Sequence, residues 1–121
     1  MHSYPTLPVG AFGIRVGFAY ISGQLPVTRA GKLLACRPFD EQVRQVLNNL
    51  DACLRRVNLD RNALVQVRVY VTDMAQWPGF NAIYVDWIGE HRPVRAVASV
   101  SGLHYGADIE VEAVAVLPRE S

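Results

Sequence analysis

Lysine is nearly absent from this chain of 121 residues. It contains one lysine, Lys32, and eleven arginines. A reaction through a Schiff base needs a desolvated amine, so it would depend on Lys32, which the pattern places in a loop. Net charge is also small, since twelve Lys and Arg residues face eleven Asp and Glu residues and leave a formal charge of +1. This balance provides no bulk attraction to nucleic acid or to an anionic membrane, and it leaves only a local patch open.

Cysteines and long apolar runs are scarce as well. Cys36 and Cys53 are too few for a disulfide framework or a zinc cluster, so we expect reduced thiols in a cytoplasmic protein. No apolar run reaches the roughly 18 residues of a membrane-spanning helix. The first five residues lack the charged and apolar regions of a signal peptide, so neither export nor a membrane partner is predicted.

The common fingerprints of catalysis are missing too. The sequence contains no P-loop, no Rossmann glycine pattern and no nucleophile elbow. His2, His91 and His104 stand alone, without a cysteine, histidine or carboxylate at the spacing of metal ligands. We interpret all three as surface or turn residues and predict no metal. Basic residues do not alternate with aromatic ones along a stripe, which gives nucleic-acid binding weak support.

What the chain does have is the composition of a globular domain. Half of its residues are hydrophobic and 19% are charged. A chain of this length can bury a core without disulfides, so we predict a single domain over residues 1–121. Residues 1–10 contain two prolines and little pattern, and are interpreted as an N-terminal arm.

Two segments have the periodicity of amphipathic helices. Residues 39–57 carry an apolar stripe with a period of 3.6, and Asn58 can end this helix. Cys53 lies on the stripe, which favours a role as a small core residue. A second helix can begin after Asp73 and stop at Gly89. Its large apolar residues fall on one stripe that is typical of a core: Trp77, Phe80, Tyr84, Trp87 and Ile88.

Alternating apolar residues predict the strands. Residues 14–24 indicate two short strands meeting at Gly17, and residues 33–35 a further short strand. Longer strands are predicted over residues 64–72, 94–100 and 109–117. In the first of these, one face would carry Val65, Val67, Val69 and Val71.

The order of these elements favours an α+β fold, a mixed sheet with two helices packed on one face. The other face still needs cover, because we expect Val97, Val114 and Val116 to lie there beside charged groups. Another copy of the chain is the obvious cover.

Two charged residues stand out because their strands are otherwise fit for burial. Arg95 is flanked by Val94 and Ala96, and Glu110 lies between Ile109 and Val111. Such a group must be paired, exposed on an open sheet face, or functional. If their strands are neighbours, an arginine and a carboxylate could share one pocket, and a structural ion pair or a solvated face remain the alternatives.

Six segments resemble, in order and spacing, those of one known family. They are Ile21–Pro26, Gln42–Leu54, Val69–Met74, Phe80–Tyr84, Pro93–Arg95 and Ile109–Val116. Over about residues 14–116 the chain resembles the Rid family of imine and enamine deaminases, also called the YjgF family. The resemblance implies a chorismate-mutase-like fold and a homotrimer with three sites in the clefts between subunits. It implies a small-molecule 2-imino acid as substrate, and no cofactor.

The resemblance also implies roles for particular residues. Arg95 would hold the substrate carboxylate, for which a guanidinium fork is suited. Glu110, the first glutamate of an Ile-Glu-x-Glu motif, would position the attacking water and handle protons. The remaining substrate-binding residues would be Ser22, Gly23, Phe80 and Asn81. Deaminating members usually carry a tyrosine in a segment before the first strand, whereas this chain has Leu7–Phe12 there, and Val97 stands where many members have cysteine.

The leading hypothesis is therefore a deaminase of the 2-iminobutanoate and 2-iminopropanoate type. It would hydrolyse reactive 2-imino or enamine acids to 2-oxo acids and ammonia. The alternative is a non-catalytic trimer that binds a small carboxylate as a signal, which the missing tyrosine favours. A ribonuclease is a third hypothesis, against which the near-neutral charge and the isolated histidines weigh.

Overall fold

The computed structural model describes residues 6–7 and 16–118. Within them the chain forms a mixed sheet with two α-helices, as predicted, in which β1 has only two residues. The strands are β1 (Thr6–Leu7), β2 (Val16–Gln24), β3 (Leu64–Val71), β4 (Val94–Ser99) and β5 (Ile109–Val116). The helices are α1 (Phe39–Arg56) and α2 (Trp77–Ile88). The order across the sheet is β1-β2-β5-β3-β4, with only the β3–β4 pair parallel.

Both helices end where the sequence indicated. Asn58 follows α1 with φ of 60°, a left-handed conformation that asparagine tolerates better than most residues. Cys53 is buried in the apolar face of α1, as expected. Asp73 accepts a hydrogen bond from the backbone of Ala75, so it caps a short 3₁₀ turn that leads directly into α2. Gly89 ends α2 at φ of 70°.

The sheet corrects three predictions about strands. Residues 16–24 form one continuous strand, in which the Gly17 carbonyl accepts a hydrogen bond from Leu117, while residues 14 and 15 lie outside the described residues. The predicted strand at 33–35 is reduced to a single bridge between Val27 and Leu33. Val65 is exposed, because the register between β3 and β5 shifts just after Leu64 and turns that valine out of the core.

The two helices pack on one face of the sheet, and this face holds the core. Alternate residues of β5, such as Val111 and Ala113, join the same apolar cluster as Leu50 of α1 and Phe80 of α2. The alternation of β5 sends its other residues, including Val114 and Val116, to the opposite face. No helix covers that opposite face in the described part of the chain.

The prediction that Val97 lies on the open face is wrong. It pairs with Val69 in the parallel β3–β4 register and packs against the core cluster. Paired residues of neighbouring strands share a face, so Val97 lies on the helix side. The same register carries Arg95 to the helix side as well, because Arg95 pairs with the buried Val67.

Candidate functional site

The side chain of Arg95 projects from β4, the strand at one edge of the sheet, toward helix α2. Its Nη1 atom donates a hydrogen bond to Asn81 Oδ1 over 2.9 Å. Its guanidinium carbon lies 4.7 Å from the ring centre of Trp77 and 4.9 Å from that of Tyr84. The two rings and the amide fix the position of the charged group, while the residue as a whole stays exposed.

This arrangement leaves Arg95 able to bind an anion. Within residues 16–118 it makes no salt bridge, and the bond to Asn81 uses one of its five N–H donors. A held guanidinium with several donors left can form the two parallel hydrogen bonds that a carboxylate accepts. Sequence reasoning found Arg95 and Asn81, and the structure brings these two together.

Aromatic side chains of α2 form a stack whose two end rings lie next to Arg95. Trp77, Phe80 and Tyr84 stack in sequence with ring centres 5.4 Å apart at each step. Phe80 is fully buried in the middle of this stack. The expectation that Phe80 contacts substrate finds no support in this placement, because its ring belongs to the core. The roles of Trp77 and Tyr84 beside Arg95 were missed, since helical periodicity gives the same signal for a core stripe and for a support of this kind.

A cavity of about 270 Å³ adjoins Arg95 and is also lined by Arg92, Tyr84 and His91. The Tyr84 hydroxyl is buried without a hydrogen-bond partner in the described residues. Burial raises the pKa of this hydroxyl, and the charges of Arg95 and Arg92 partly oppose that rise. The ring of His91 is engaged elsewhere, since its Nε2 atom lies 2.7 Å from the Leu64 carbonyl oxygen.

Glu110 lies on the open face of the sheet, on β5 between β2 and β3. Two residues of β2, Ser22 and Gly23, fall opposite the single residue Glu112, because the register between Ile21 and Gln24 contains one extra residue. Such a bulge changes where nearby side chains point. A Cβ atom built on Gly23 would overlap Glu110 Oε2 and would lie 2.7 Å from Glu110 Cδ. Only glycine therefore lets the carboxylate reach this place.

The environment of Glu110 favours its protonated form. Burial raises the pKa of the Glu110 carboxyl, the nearby charge of Glu112 raises it further, and His104 opposes these effects. A carboxyl whose pKa is raised toward the working pH can both accept and donate protons.

Ser22 borders a second cavity, of about 280 Å³, on the same open face. Tyr20, Arg68 and Glu112 also line it. The carbonyl oxygen of Ser22 accepts a hydrogen bond of 2.8 Å from Gln24 Nε2, which holds the bulge in shape. The structure thus places Gly23 against Glu110 and Ser22 next to Gly23 in the same bulge, and their substrate-binding roles stay predictions.

Arg95 and Glu110 do not share a pocket within one chain. Their strands are not neighbours, since β3 lies between β4 and β5. Arg95 pairs with Val67 on the helix side, whereas Glu110 pairs with Tyr70 on the open side. Standard strand spacings place their backbones on the order of 14 Å apart, with the side chains on opposite faces. The candidate site therefore consists of two halves: the arginine half, Arg95 with Asn81, and the glutamate half, Glu110 with Ser22 and Gly23.

Two other parts of the chain bear on the site. Of the segment Leu7–Phe12, where the expected tyrosine is missing, only Leu7 lies within the described residues. Within those residues, no group of three or more His, Cys, Asp or Glu side chains is arranged to hold a metal ion. A search of the same residues for a helix long and apolar enough to cross a membrane finds none.

Comparisons with known proteins show the family of this chain. A family model described as Endoribonuclease L-PSP matches residues 11–117. A RutC family protein of Aquifex aeolicus is 37% identical over 116 residues, which cover 91% of each chain.

Solved structures of related proteins also superpose on this chain. A protein of the conserved Rid family from Yersinia pestis, YyfA, superposes with a TM-score of 0.77 at 28% identity, covering 90% of each chain. The structure of E. coli TdcF with bound serine superposes with a TM-score of 0.75 at 26% identity, covering 93% of this chain and 86% of TdcF.

Proposed function

Because the chain belongs to the Rid family, whose family model is described as Endoribonuclease L-PSP, we propose that it is a cofactor-independent imine deaminase. The substrate is a small 2-imino acid of the 2-iminobutanoate or 2-iminopropanoate type, or its enamine tautomer. The products are a 2-oxo acid and ammonia. The observation that carries this proposal is the Arg95 guanidinium, which Asn81, Trp77 and Tyr84 hold with donors left for a carboxylate. A related structure contains serine, a small molecule with a carboxylate.

The complete site is proposed to lie between two copies of the chain in a homotrimer. The arginine half and the glutamate half lie on opposite faces of one sheet, so a small substrate reaches both only if they come from different subunits. Both halves are at surfaces suited to contact. β4 is an edge strand whose Val94 is 68% exposed, and the open face around Glu110 carries the exposed ring of Tyr20.

In this mechanism Arg95 binds the substrate carboxylate with two hydrogen bonds and orients C2 toward the glutamate half. The imine reacts in its protonated, iminium form. Glu110 takes a proton from water as the oxygen adds to C2, which gives a neutral carbinolamine. Glu110 then returns its proton to the nitrogen. The C2–N bond breaks, ammonia leaves, and loss of the hydroxyl proton gives the 2-oxo acid. One molecule of water is consumed for each imine.

A coupled assay tests the proposal. An amino-acid oxidase generates 2-imino acids, and imine loss is followed with the wild type and with R95A and E110Q. Removing two charge-assisted hydrogen bonds should raise KM at least about tenfold in R95A. Removing the proton-transfer group should lower kcat about 100-fold or more in E110Q. Arg44→Ala is the matched control, because Arg44 pairs with Asp40 on the exposed side of α1. Full activity of R95A would overturn the assignment.

Two other functions are outcomes of the same experiment. Binding of 2-oxo acids to the wild type without imine hydrolysis would support the alternative of a carboxylate-binding regulatory trimer. RNA cleavage that disappears in R95A or E110Q would support a ribonuclease. The cytoplasmic location stays a prediction, as do the absence of nucleic-acid and membrane partners.

A further inference from the structure

A tyrosine and a second glutamate stand beside Glu110 on the open face of the sheet. In the antiparallel register Tyr70 of β3 lies opposite Glu110, and Arg68 lies opposite Glu112. The Tyr70 hydroxyl does not bond to the residue opposite. It reaches diagonally and donates a hydrogen bond of 2.6 Å to Glu112 Oε1.

This hydrogen bond fixes the carboxylate of Glu112. Arg68 Nη1 lies 3.8 Å from the same Oε1 atom and adds a weaker attraction. The Glu112 carboxylate raises the pKa of the Tyr70 hydroxyl, which therefore remains a donor across the neutral range. Residues two apart on a strand lie on the same face, with backbones about 7 Å apart, so the carboxylate held by Tyr70 stays near Glu110.

We propose that Glu112, held in place by Tyr70, is a positioning residue that helps Glu110 to retain its proton. The inference rests on the proposed function, because it makes Glu110 an effective acid at the step in which ammonia leaves. Neither Tyr70 nor Glu112 needs to touch substrate for this role.

The other groups that face Glu110 leave Glu112 as the main adjustable charge. From β2, Gly23 contributes no charge, and from β3 the Tyr70 hydroxyl is already bonded to Glu112. His104, in the turn before β5, favours the ionised form of Glu110. Arg68 lies beyond Glu112 and partly neutralises it. Within residues 16–118 no side chain or backbone group donates a hydrogen bond to the Glu110 carboxylate, so its charge is sensitive to a neighbouring carboxylate.

A direct titration tests the inference without any substrate. The carboxyl carbon of Glu110 is followed by NMR as a function of pH in the wild type, in Glu112→Gln and in the control Glu90→Gln, an exposed glutamate after α2. We expect Glu112→Gln to lower the pKa of Glu110 and Glu90→Gln to leave it unchanged. Tyr70→Phe should lower it by a smaller amount, because Glu112 is then no longer held. Equal titrations of Glu110 in Glu112→Gln and Glu90→Gln would overturn the inference.

Activity measurements then separate this inference from the proposed function. In Glu112→Gln, the limb of the pH profile of kcat that reports the ionisation of Glu110 should move to lower pH. KM should stay unchanged, because Arg95 is untouched. A shifted titration without any imine hydrolysis would leave the inference standing and reject the deaminase. Imine hydrolysis together with an unshifted pH profile of kcat and an unshifted Glu110 titration would reject the inference and leave the deaminase standing. If Glu112→Gln does not fold, the comparison of Tyr70→Phe with the wild type decides the question in the same way.

Discussion

Arg95 and Glu110 extend from opposite faces of one sheet, with β3 between their strands. One chain therefore keeps apart the arginine half, which we propose binds a carboxylate, and the glutamate half, which we propose moves protons. Closed symmetry offers a simple solution, since every copy in a ring can supply its arginine half to one neighbour and its glutamate half to the other.

Mixing two impaired variants, assayed at a substrate concentration well below the wild-type KM, tests this arrangement. When R95A and E110Q subunits are unfolded, combined in equal amounts and refolded, some contacts pair the intact Arg95 of one variant with the intact Glu110 of the other. A functional site needs Arg95 from an E110Q subunit and Glu110 from an R95A subunit. Random assembly produces this combination at about one contact in four, so about a quarter of wild-type activity should return. R95A mixed with the double variant R95A/E110Q is the control and should show no gain over its components. A mixture of R95A and E110Q no more active than its components would place the whole site within one subunit.

The close approach of Glu110 to Gly23 makes a second prediction. In Gly23→Ala the new methyl group occupies the place of the carboxylate, and the flexible end of Glu110 must move away. We expect kcat to fall about 100-fold, as for loss of a proton-transfer group, while thermal unfolding shows a folded protein. Gly102→Ala is the matched control, because a Cβ atom there meets nothing within 4 Å. Normal activity of Gly23→Ala would mean that Glu110 does not act in catalysis from the position observed here.

The raised pKa of Glu110 predicts a pH-dependent gain in stability on substitution. The folded state holds the Glu110 proton more tightly than the unfolded state, whose glutamate titrates near 4.5. Stability is therefore lost as pH rises from that value through the raised pKa. Glu110→Gln should unfold at a higher temperature than the wild type at pH 7, and the difference should vanish below about pH 4. Glu41→Gln should show no such gain, because the hydrogen bond from Arg37 lowers the pKa of Glu41. A Glu110→Gln protein less stable at pH 7 would contradict the prediction.

The buried hydroxyl of Tyr84 predicts a stabilising substitution. The hydroxyl has no hydrogen-bond partner in the described residues, and an unsatisfied buried group costs about 1–3 kcal/mol. Tyr84→Phe removes the group and keeps the ring beside Arg95, so the free energy of unfolding should rise, measured by denaturant titration. Tyr70→Phe breaks a hydrogen bond to Glu112 and should instead lower that free energy by about 1 kcal/mol. Destabilisation by Tyr84→Phe would reveal a partner for the hydroxyl.

Several features of the fold could be predicted because they depend on residues close in sequence. The apolar stripe of α1 determines which side is buried, and Asn58 and Gly89 end the helices for local backbone reasons. Family membership was predicted from six short segments and is confirmed by the match over residues 11–117. The roles of Arg95 and Glu110 stay predictions.

Two errors concern the direction in which strand residues point. Val65 was expected to share a face with Val67, and a register shift against β5 turned it outward. Val97 was expected on the open face, and its pairing with Val69 placed it against the helices. For Val97, alternation along β4 says which residues share a face, but only the partner strand decides which face that is. For Val65, the shift in register interrupts the alternation itself.

The two helices, the alternation along most of each long strand and the presence of two charged residues in apolar strands could be predicted from local patterns alone. These properties follow from local conformational preference and from the spacing of apolar side chains. Three features emerge from the folded chain alone: β3 separates β4 from β5, Arg95 lies among the aromatic rings of α2, and Glu110 lies against Gly23. Strand order and register depend on hydrogen bonds between residues far apart in the chain, which no local pattern specifies.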